Sequence, residues 1–274
     1  MKTHHIFHIL AISVLIQFAG NGSLIAAQLP AQNMAQEHII ELEHNCTLAF
    51  DLRLDPKDTL THEIEYEIRQ VMSSIQALIP ANDLTIYIVL CDTTNVGNII
   101  PFMGIGGHPM GTDAVRMYIQ PENPNFKAKY VAWGLPHEIH HVIRMRKPGW
   151  HWSLLECIVM EGLADHFLVE VTGSEAGPWT RALSEEDIEN FLIKFRSHMH
   201  TTTESWDEFE ANHLTPWLFG RSGSDSIPSF TGYSLGWRIV ENYINAHPEA
   251  SGSSLLYVSS EVIAESTPEL LVTE

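Results

Sequence analysis

Residues 137–141 read His-Glu-Ile-His-His, and this pattern, His-Glu-x-x-His, sets the fold expected for the chain around it. On an α-helix, residues four positions apart lie one turn apart on the same face, so the imidazoles of His137 and His141 can bind one zinc ion together. Glu138 is rotated by about 100° from His137 and can accept a proton from a water at the metal, as a general base. His140 is an alternative second ligand, but a base directly after the first ligand favours His141.

The chain from the motif onward predicts helices. The first is expected to start at residue 135, with Pro136 at its first position, and to end before Pro148-Gly149. A second is predicted over residues 152–171, and Ser184 marks the capped start of a third. Two more are predicted, over residues 233–246 and 253–264.

The chain before the motif predicts a small β-sheet with one helix. Apolar periodicity indicates a strand over residues 48–54, a helix over 60–78 and a strand over 84–90. Residues 104–111 are Gly-rich but lack the Gly-Lys-Ser/Thr ending of a phosphate loop, and they precede a strand over 114–120. We therefore expect a mobile loop or an edge bend there. The order of elements predicts an α+β fold, with a small sheet-containing N-terminal half, a helical C-terminal half and the motif helix between them.

A catalytic zinc site uses three protein ligands and keeps one position open. The third ligand is expected on the second helix, where Glu156, Glu161 and Asp165 are the acidic residues. Glu156 follows His141 at a short distance for this ligand class, so we expect it to face solvent or to cap a turn. Here the chain resembles thermolysin-like and other glutamate-zincins, which carry a glutamate ligand on an antiparallel helix at about the distance that separates His141 from Glu161. They also carry an acidic residue four positions later that hydrogen-bonds the first histidine, and Asp165 stands at that offset.

The resemblance is more specific to a family of predicted zinc-dependent proteases. The shared features are the Gly-rich segment 104–111, the helix with the motif at 137–141, Glu-Gly-Leu-Ala at 161–164 and Gly-Tyr-x-x-Gly at 232–236. The resemblance covers roughly residues 60–250. It implies a zincin-like fold and one Zn²⁺ per chain, held by two histidines and a glutamate, with a peptide or protein as substrate.

Glutamate-zincins place a second electrophile, a Tyr or His, beside the metal to hold the developing oxyanion. The resemblance makes Tyr233 the candidate here, with His151 and His213 as weaker ones, although Tyr233 can equally be a packed core residue. In thermolysin-like enzymes an extended substrate pairs with a sheet edge beside the cleft. By that analogy the strand over residues 114–120 is a candidate for such a free edge. The alternative is that it is an internal strand.

Composition limits the classes of function. The net charge of −19 argues against nucleic-acid binding, which needs clustered Lys and Arg. Residues 1–27 are interpreted as a signal peptide, with an apolar stretch over 6–19 and small residues before Gln28, and an uncleaved membrane anchor is the alternative. We therefore expect export, to the periplasm or the medium, without stable membrane insertion after the signal is removed. The expected organisation is then an N-terminal segment over residues 28–59, a metallopeptidase domain over 60–250, and a C-terminal helix and tail over 251–274.

The three cysteines do not have the spacing of a zinc knuckle. In an exported protein Cys46 and Cys91 are candidates for one disulfide, whereas Cys157 lies in a helix pattern and is expected to be a buried apolar residue. Three hypotheses about function remain open at this point. They are a zinc peptidase, a non-catalytic zinc-containing binding or chaperone-like protein, and a zinc hydrolase of a non-peptide substrate.

Overall fold

The structure, a computed structural model, describes residues 38–91, 103–223 and 226–271. Within these ranges the N-terminal half contains five strands and the C-terminal half is mainly helical, so the predicted α+β class is confirmed. The predicted signal peptide and residues 28–37 of the predicted N-terminal segment lie outside the described residues. None of the helices in the described ranges combines the length and the apolar character needed to cross a membrane.

The strands form one mixed sheet. They are β1 (His38–Glu41), β2 (Thr47–Phe50), β3 (Thr85–Leu90), β4 (Ile105–Met110) and β5 (Ala114–Ile119). Their spatial order is β1-β2-β3-β5-β4. The three central strands β2, β3 and β5 are parallel, while β1 and β4 pair antiparallel to their neighbours at the two edges.

One prediction about this sheet was wrong, and one alternative that the sequence left open is decided. The Gly-rich residues 104–111 contain the edge strand β4 and are not a mobile loop. Strand β5 is paired with β3 on one side and with β4 on the other, so it is internal and has no free edge. Glycines weaken a strand interior, and the position of β4 at the edge leaves it only one neighbour to match.

Strand β2 ends at Phe50, four residues before the predicted end. The carboxylate of Asp51 accepts hydrogen bonds from the backbone N–H of Arg53, at 3.0 Å, and from its guanidinium group. An aspartate that binds the backbone two residues ahead makes a turn of the chain. Leu54 is buried from within this turn, whereas Leu52 is exposed, which explains why the apolar alternation continued beyond the strand.

Nine helices are assigned within the described residues, with short 3₁₀ and π segments between some of them. They are α1 (Thr59–Leu78), α2 (Ala128–Met145), α3 (Leu154–Thr172), α4 (Glu185–Arg196), α5 (Trp206–Phe209), α6 (Thr215–Phe219), α7 (Thr231–Ala246), α8 (Ser260–Ala264) and α9 (Pro268–Leu271). Helices α1 and α2 share one apolar core with the sheet. Most of α3 packs in a second core with α4, α6 and α7, so α2 and α3 meet where the two cores adjoin.

The predicted helix boundaries fail at two places. Helix α2 begins at Ala128, and Pro136 lies inside it instead of at its first position. The ring of Pro136 is buried, and its missing N–H leaves the carbonyl of Ala132 without the usual helical partner. Of the helix predicted over residues 253–264, only α8 is present.

The serines explain the missing half of that last helix. The side chains of Ser251 and Ser254 accept hydrogen bonds from each other's backbone N–H groups, and the side chain of Glu170 binds the backbone N–H of Ser253. Such bonds offer the backbone an alternative to the helix ladder.

Cys46 and Cys91 do not form the disulfide that the sequence allowed. Cys46 directly precedes β2, and Cys91 directly follows β3. Because β2 and β3 are parallel, the two residues lie at opposite ends of these strands, roughly 20 Å apart at 3.3 Å per residue. A disulfide needs Cα atoms within about 7 Å. Cys157 is buried in the second core, as predicted.

Candidate metal centre

Helix α2 brings His137 and His141 onto one face, directed at α3. Their Nε2 atoms are 3.0 Å apart, and the two rings meet edge to face at an interplanar angle of 86°. Both side chains are almost completely buried. The four-residue spacing therefore does what the motif predicts, since both imidazoles present the same nitrogen to one point.

Helix α3 supplies the third polar group. Glu161 Oε2 lies 3.1 Å from His137 Nε2 and 3.5 Å from His141 Nε2. The contacts run in opposite order along the two helices: Arg144, after the motif, binds Glu156 at the start of α3, while His137 contacts Glu161 and Asp165 further along. The two helices are therefore antiparallel, which places a residue 20 positions after His141 beside it.

The spacing of these three atoms suits a zinc ion. Zinc binds histidine nitrogen and carboxylate oxygen at about 2.0–2.1 Å with tetrahedral geometry, which requires ligand atoms about 3.3 Å apart. The observed separations of 3.0, 3.1 and 3.5 Å are close to this value. Among the described residues, His137, His141 and Glu161 are the group of His, Cys, Asp and Glu side chains that could hold a metal ion.

Asp165 lies one turn after Glu161 on α3 and is fully buried. Its Oδ1 atom is 3.0 Å from His137 Nδ1. A carboxylate at this nitrogen keeps the proton on Nδ1 and leaves the lone pair of Nε2 for a metal. Its Oδ2 atom accepts a hydrogen bond of 2.9 Å from the indole N–H of Trp179. His141 Nδ1 is also buried, and it has no hydrogen-bonding partner within the described residues.

The charges around the site stabilise an ionised glutamate next to histidine. Burial acts to raise the pKa of Glu161, but His141 and His137 lower it far below its ordinary value. Burial acts to lower the pKa of His137, but the carboxylates of Asp165 and Glu161 raise it well above its ordinary value. The site thus attracts a cation, whether a proton or a metal ion.

Glu138 lies against strand β4. A Cβ atom added to Gly107 would overlap the Glu138 carboxylate, so only glycine leaves room for that side chain. Burial raises the pKa of Glu138 above its ordinary value, and the opposing effect of His137 and His141 is smaller. A carboxylate with a raised pKa beside His137 and His141 holds a proton more readily than an ordinary glutamate does.

Tyr233 approaches the site from α7. A Cβ atom on Gly162 would overlap the backbone of Gly236, and one on Gly236 would overlap the carbonyl of Ile158, so α3 and α7 pack with their backbones in contact. This contact lies directly beside Glu161 and accounts for the Glu-Gly and Gly-Tyr-x-x-Gly patterns. Burial and the carboxylates of Glu161, Asp165 and Glu138 raise the pKa of Tyr233 well above its ordinary value, so its hydroxyl keeps its proton.

The profile of one protein family matches residues 60–265, which is more than half of the chain. That family is described as "Predicted Zn-dependent protease (DUF2268)". The chain belongs to this family. The matched region includes His137, His141 and Glu161, so the candidate metal centre lies within the part of the chain that defines the family.

Two further proteins are similar to this member of the predicted Zn-dependent proteases. One is "Uncharacterized protein YjaZ" from Bacillus subtilis (strain 168), which is 29% identical over 126 residues, covering 44% of this chain and 45% of that protein. The other is a crystal structure of an aminopeptidase N family protein from Idiomarina loihiensis, with a TM-score of 0.41 and 13% identity. It covers 84% of this chain and 40% of that chain. Each match thus spans less than half of the other protein.

Glu156 and His140, two side chains close to the motif, do not belong to the centre. Glu156 was expected to face solvent or cap a turn, and this was wrong. It is buried and forms an ion pair with the fully buried Arg144, at 2.8 Å, and it also accepts hydrogen bonds from Trp150 and Ser260. His140, the alternative second ligand, is not part of this group, and its fully buried ring packs against Phe167.

His151 and His213 are not brought to the centre. His151 is exposed and contacts the carbonyl of Gly149, and His213 packs against Phe209. The sequence did not predict the contact of Trp179 with Asp165 or that of Gly107 with Glu138. A hydrogen bond from an indole to a buried carboxylate leaves no spacing signal, and a glycine that makes room for a side chain of another element looks like any loop glycine.

Proposed function

We propose that the chain is a zinc-dependent peptidase in which His137, His141 and Glu161 hold one zinc ion. The observation that carries the proposal is the convergence of two Nε2 atoms and one carboxylate oxygen at 3.0–3.5 Å, with the opposite nitrogen of His137 on a buried aspartate. Three ligands and no fourth side chain in reach among the described residues are typical of a catalytic zinc site.

Zinc bound at these three atoms would supply a Lewis acid that polarises the scissile carbonyl and lowers the pKa of the attacking water. Glu138 is the proposed general base. It takes the proton from the water during attack and returns it to the leaving amine, for which its raised pKa is suited. Its position against Gly107 restricts the carboxylate to the side of the cleft where β4 lies.

Tyr233 is the proposed second electrophile. Its phenol stays protonated because burial and three neighbouring carboxylates raise its pKa, so it donates a hydrogen bond and does not accept one as a phenolate. A donor held in place before the reaction stabilises the charge that develops on the carbonyl oxygen. Membership in the family of predicted Zn-dependent proteases supports a peptide or protein as the substrate class.

The test is metal content and peptide cleavage by the full chain, beside Glu138→Gln and the control Glu63→Gln, which changes an exposed glutamate on α1. We expect one zinc per chain in all three proteins. Turnover of a broad peptide library should fall by about 100-fold or more in Glu138→Gln and stay unchanged in the control. Equal cleavage by Glu138→Gln and the parent would exclude Glu138 as the base. Zinc without any peptide cleavage by the parent would favour the two other hypotheses.

A further inference from the structure

The Asp165 carboxylate is divided between two partners. One oxygen contacts His137 Nδ1 at 3.0 Å, and the other accepts the indole N–H of Trp179 at 2.9 Å. Asp165 is fully buried, so no water shell replaces a lost partner. A buried carboxylate with one oxygen unpaired is strongly disfavoured, and it can rotate or take up a proton to escape that state.

Trp179 is held in place from several sides. It lies in the short 3₁₀ helix Pro178–Arg181, and its carbonyl accepts a hydrogen bond of 3.0 Å from the Ser234 hydroxyl on α7. The same hydroxyl accepts the backbone N–H of Ala182 at 3.2 Å. Gly177 lies against the indole ring, where a Cβ atom would overlap it. These contacts fix both the backbone and the ring plane of Trp179.

The ring of Trp179 also contacts Tyr233. The two ring centroids are 6.3 Å apart in an edge-to-face arrangement, and Ser234, the next residue on α7, makes the hydrogen bonds described above. One continuous set of contacts therefore leads from the α7 helix that carries Tyr233, through Trp179 and Asp165, to His137. Trp179 thus links Tyr233 on α7 with His137 on α2.

We infer that Trp179 is a positioning residue, whose indole N–H holds the Asp165 carboxylate in the orientation that keeps His137 Nε2 directed at the metal. The inference rests on the proposed zinc site. Carboxylates behind a histidine ligand fix the tautomer and raise the basicity of the imidazole, and changes to such groups cost about 10- to 100-fold in metal affinity. Trp179 acts one contact further out, because its indole N–H binds the Asp165 carboxylate and none of the three proposed ligands.

Trp133 provides a matched control. It too donates an indole hydrogen bond, of 2.9 Å to the Ser174 hydroxyl, and it packs edge to face on Trp179 with centroids 5.9 Å apart. It does not bind Asp165. A change of Trp to Phe at either position removes one indole N–H group and the same part of the ring system. Only the change at 179 removes a hydrogen bond from the Asp165 carboxylate.

The experiment measures zinc dissociation constants by chelator competition for the full chain, Trp179→Phe and Trp133→Phe, and the same for Trp179→Phe in an Asp165→Asn background. We expect Trp179→Phe to weaken zinc binding by about tenfold or more and Trp133→Phe to leave it within about threefold. In the Asp165→Asn background the change at 179 should have little further effect, because the group through which it acts is gone. Replacement of Trp179 by the benzothienyl amino acid, which keeps the ring shape and lacks the N–H, provides a second variant if Trp179→Phe fails to fold.

Two results would overturn the inference. The first is zinc affinity in Trp179→Phe and in the benzothienyl variant equal to that of the parent, while the parent binds zinc and cleaves peptide, which sinks this inference alone. The second is an equal loss in both backgrounds, which would show that Trp179 acts by packing and not through Asp165. A parent chain that binds no zinc would remove this inference together with the proposed function.

Discussion

The Nε2 atoms of His137 and His141 face each other at 3.0 Å across the side of α2 that contacts α3. For both nitrogens to bind a metal, each must present a lone pair, and two lone pairs at this distance repel unless a cation lies between them. Without a metal, the carboxylates of Asp165 and Glu161 favour a proton on His137. The site therefore binds either a metal ion or a proton.

Zinc affinity is expected to fall as the pH is lowered. Burial opposes protonation of His137, but Asp165 and Glu161 raise its pKa above the ordinary value in the metal-free chain. Below that raised pKa each zinc must displace a proton, so the affinity should fall by up to about tenfold per pH unit for one proton. Chelator competition from about pH 5 to about pH 9 measures this slope. An affinity that does not change over this range would show that His137 is not a ligand.

Gly107→Ala is expected to reduce turnover without removing zinc. The new Cβ atom would overlap the Glu138 carboxylate and displace the proposed base. A displacement of about 1 Å costs roughly 100-fold in rate. Metal content and kcat measure the two effects separately. Gly134→Ala is the control on α2, because its Cβ would meet only the ends of Ile105 and Met117, at 3.2 and 3.4 Å. Unchanged kcat in Gly107→Ala would mean that the position of Glu138 is not critical.

Gly162→Ala is expected to lower the free energy of unfolding by about 1–3 kcal/mol. Its Cβ atom would overlap the Gly236 backbone, which cannot move without separating α7 from α3. Urea unfolding of the metal-free chain measures the change. In Gly134→Ala the neighbours are flexible side-chain ends, and the helix gains from the substitution, so stability should be near that of the parent. A Gly162→Ala chain as stable as Gly134→Ala would contradict the close packing of α3 on α7.

Arg144→Met is expected to destabilise the chain by about 3–5 kcal/mol, because it leaves the buried Glu156 carboxylate without its cation. The guanidinium also binds the carbonyls of Leu256 and Val258, so the variant frees the C-terminal segment from α2. Denaturant unfolding measures the loss.

The variant Arg146→Met, two residues further on, tests the specificity of that effect. Arg146 binds the carbonyls of Thr112 and Asn82 at the surface, and its loss should cost about 1 kcal/mol or less. Similar losses of stability in Arg144→Met and Arg146→Met would show that the buried Arg144–Glu156 pair stabilises the chain no more than the surface hydrogen bonds of Arg146 do.

The sequence was sufficient to predict the pieces of the site that lie at regular helical spacing. His137 and His141 share one face because of the four-residue step, and resemblance placed Glu161 and Asp165 on the next helix, where the structure has them. The α+β class followed from the order of apolar periods. The metal-binding, catalytic and positioning roles of these residues remain predictions.

Other features depend on contacts between distant segments, which local patterns do not contain. The Gly-rich stretch was expected to be a loop because glycine alone does not indicate a strand, and β4 exists because β5 pairs with it. Glu156 was expected to face solvent or cap a turn because its contacts with Arg144 on the preceding helix and with Ser260, 104 positions later, leave no signal in the local pattern. The start of α2 was placed seven residues late because Pro136 was treated as a helix start, and tertiary packing tolerates it inside.

The most direct test of the zinc site is a crystal structure of the full chain with zinc, with anomalous data collected at the zinc absorption edge. We predict one anomalous peak per chain, about 2.0–2.2 Å from His137 Nε2, His141 Nε2 and a Glu161 carboxylate oxygen. A peak held by other residues, such as His140, or an empty site in a chain that has bound zinc in solution, would contradict the account.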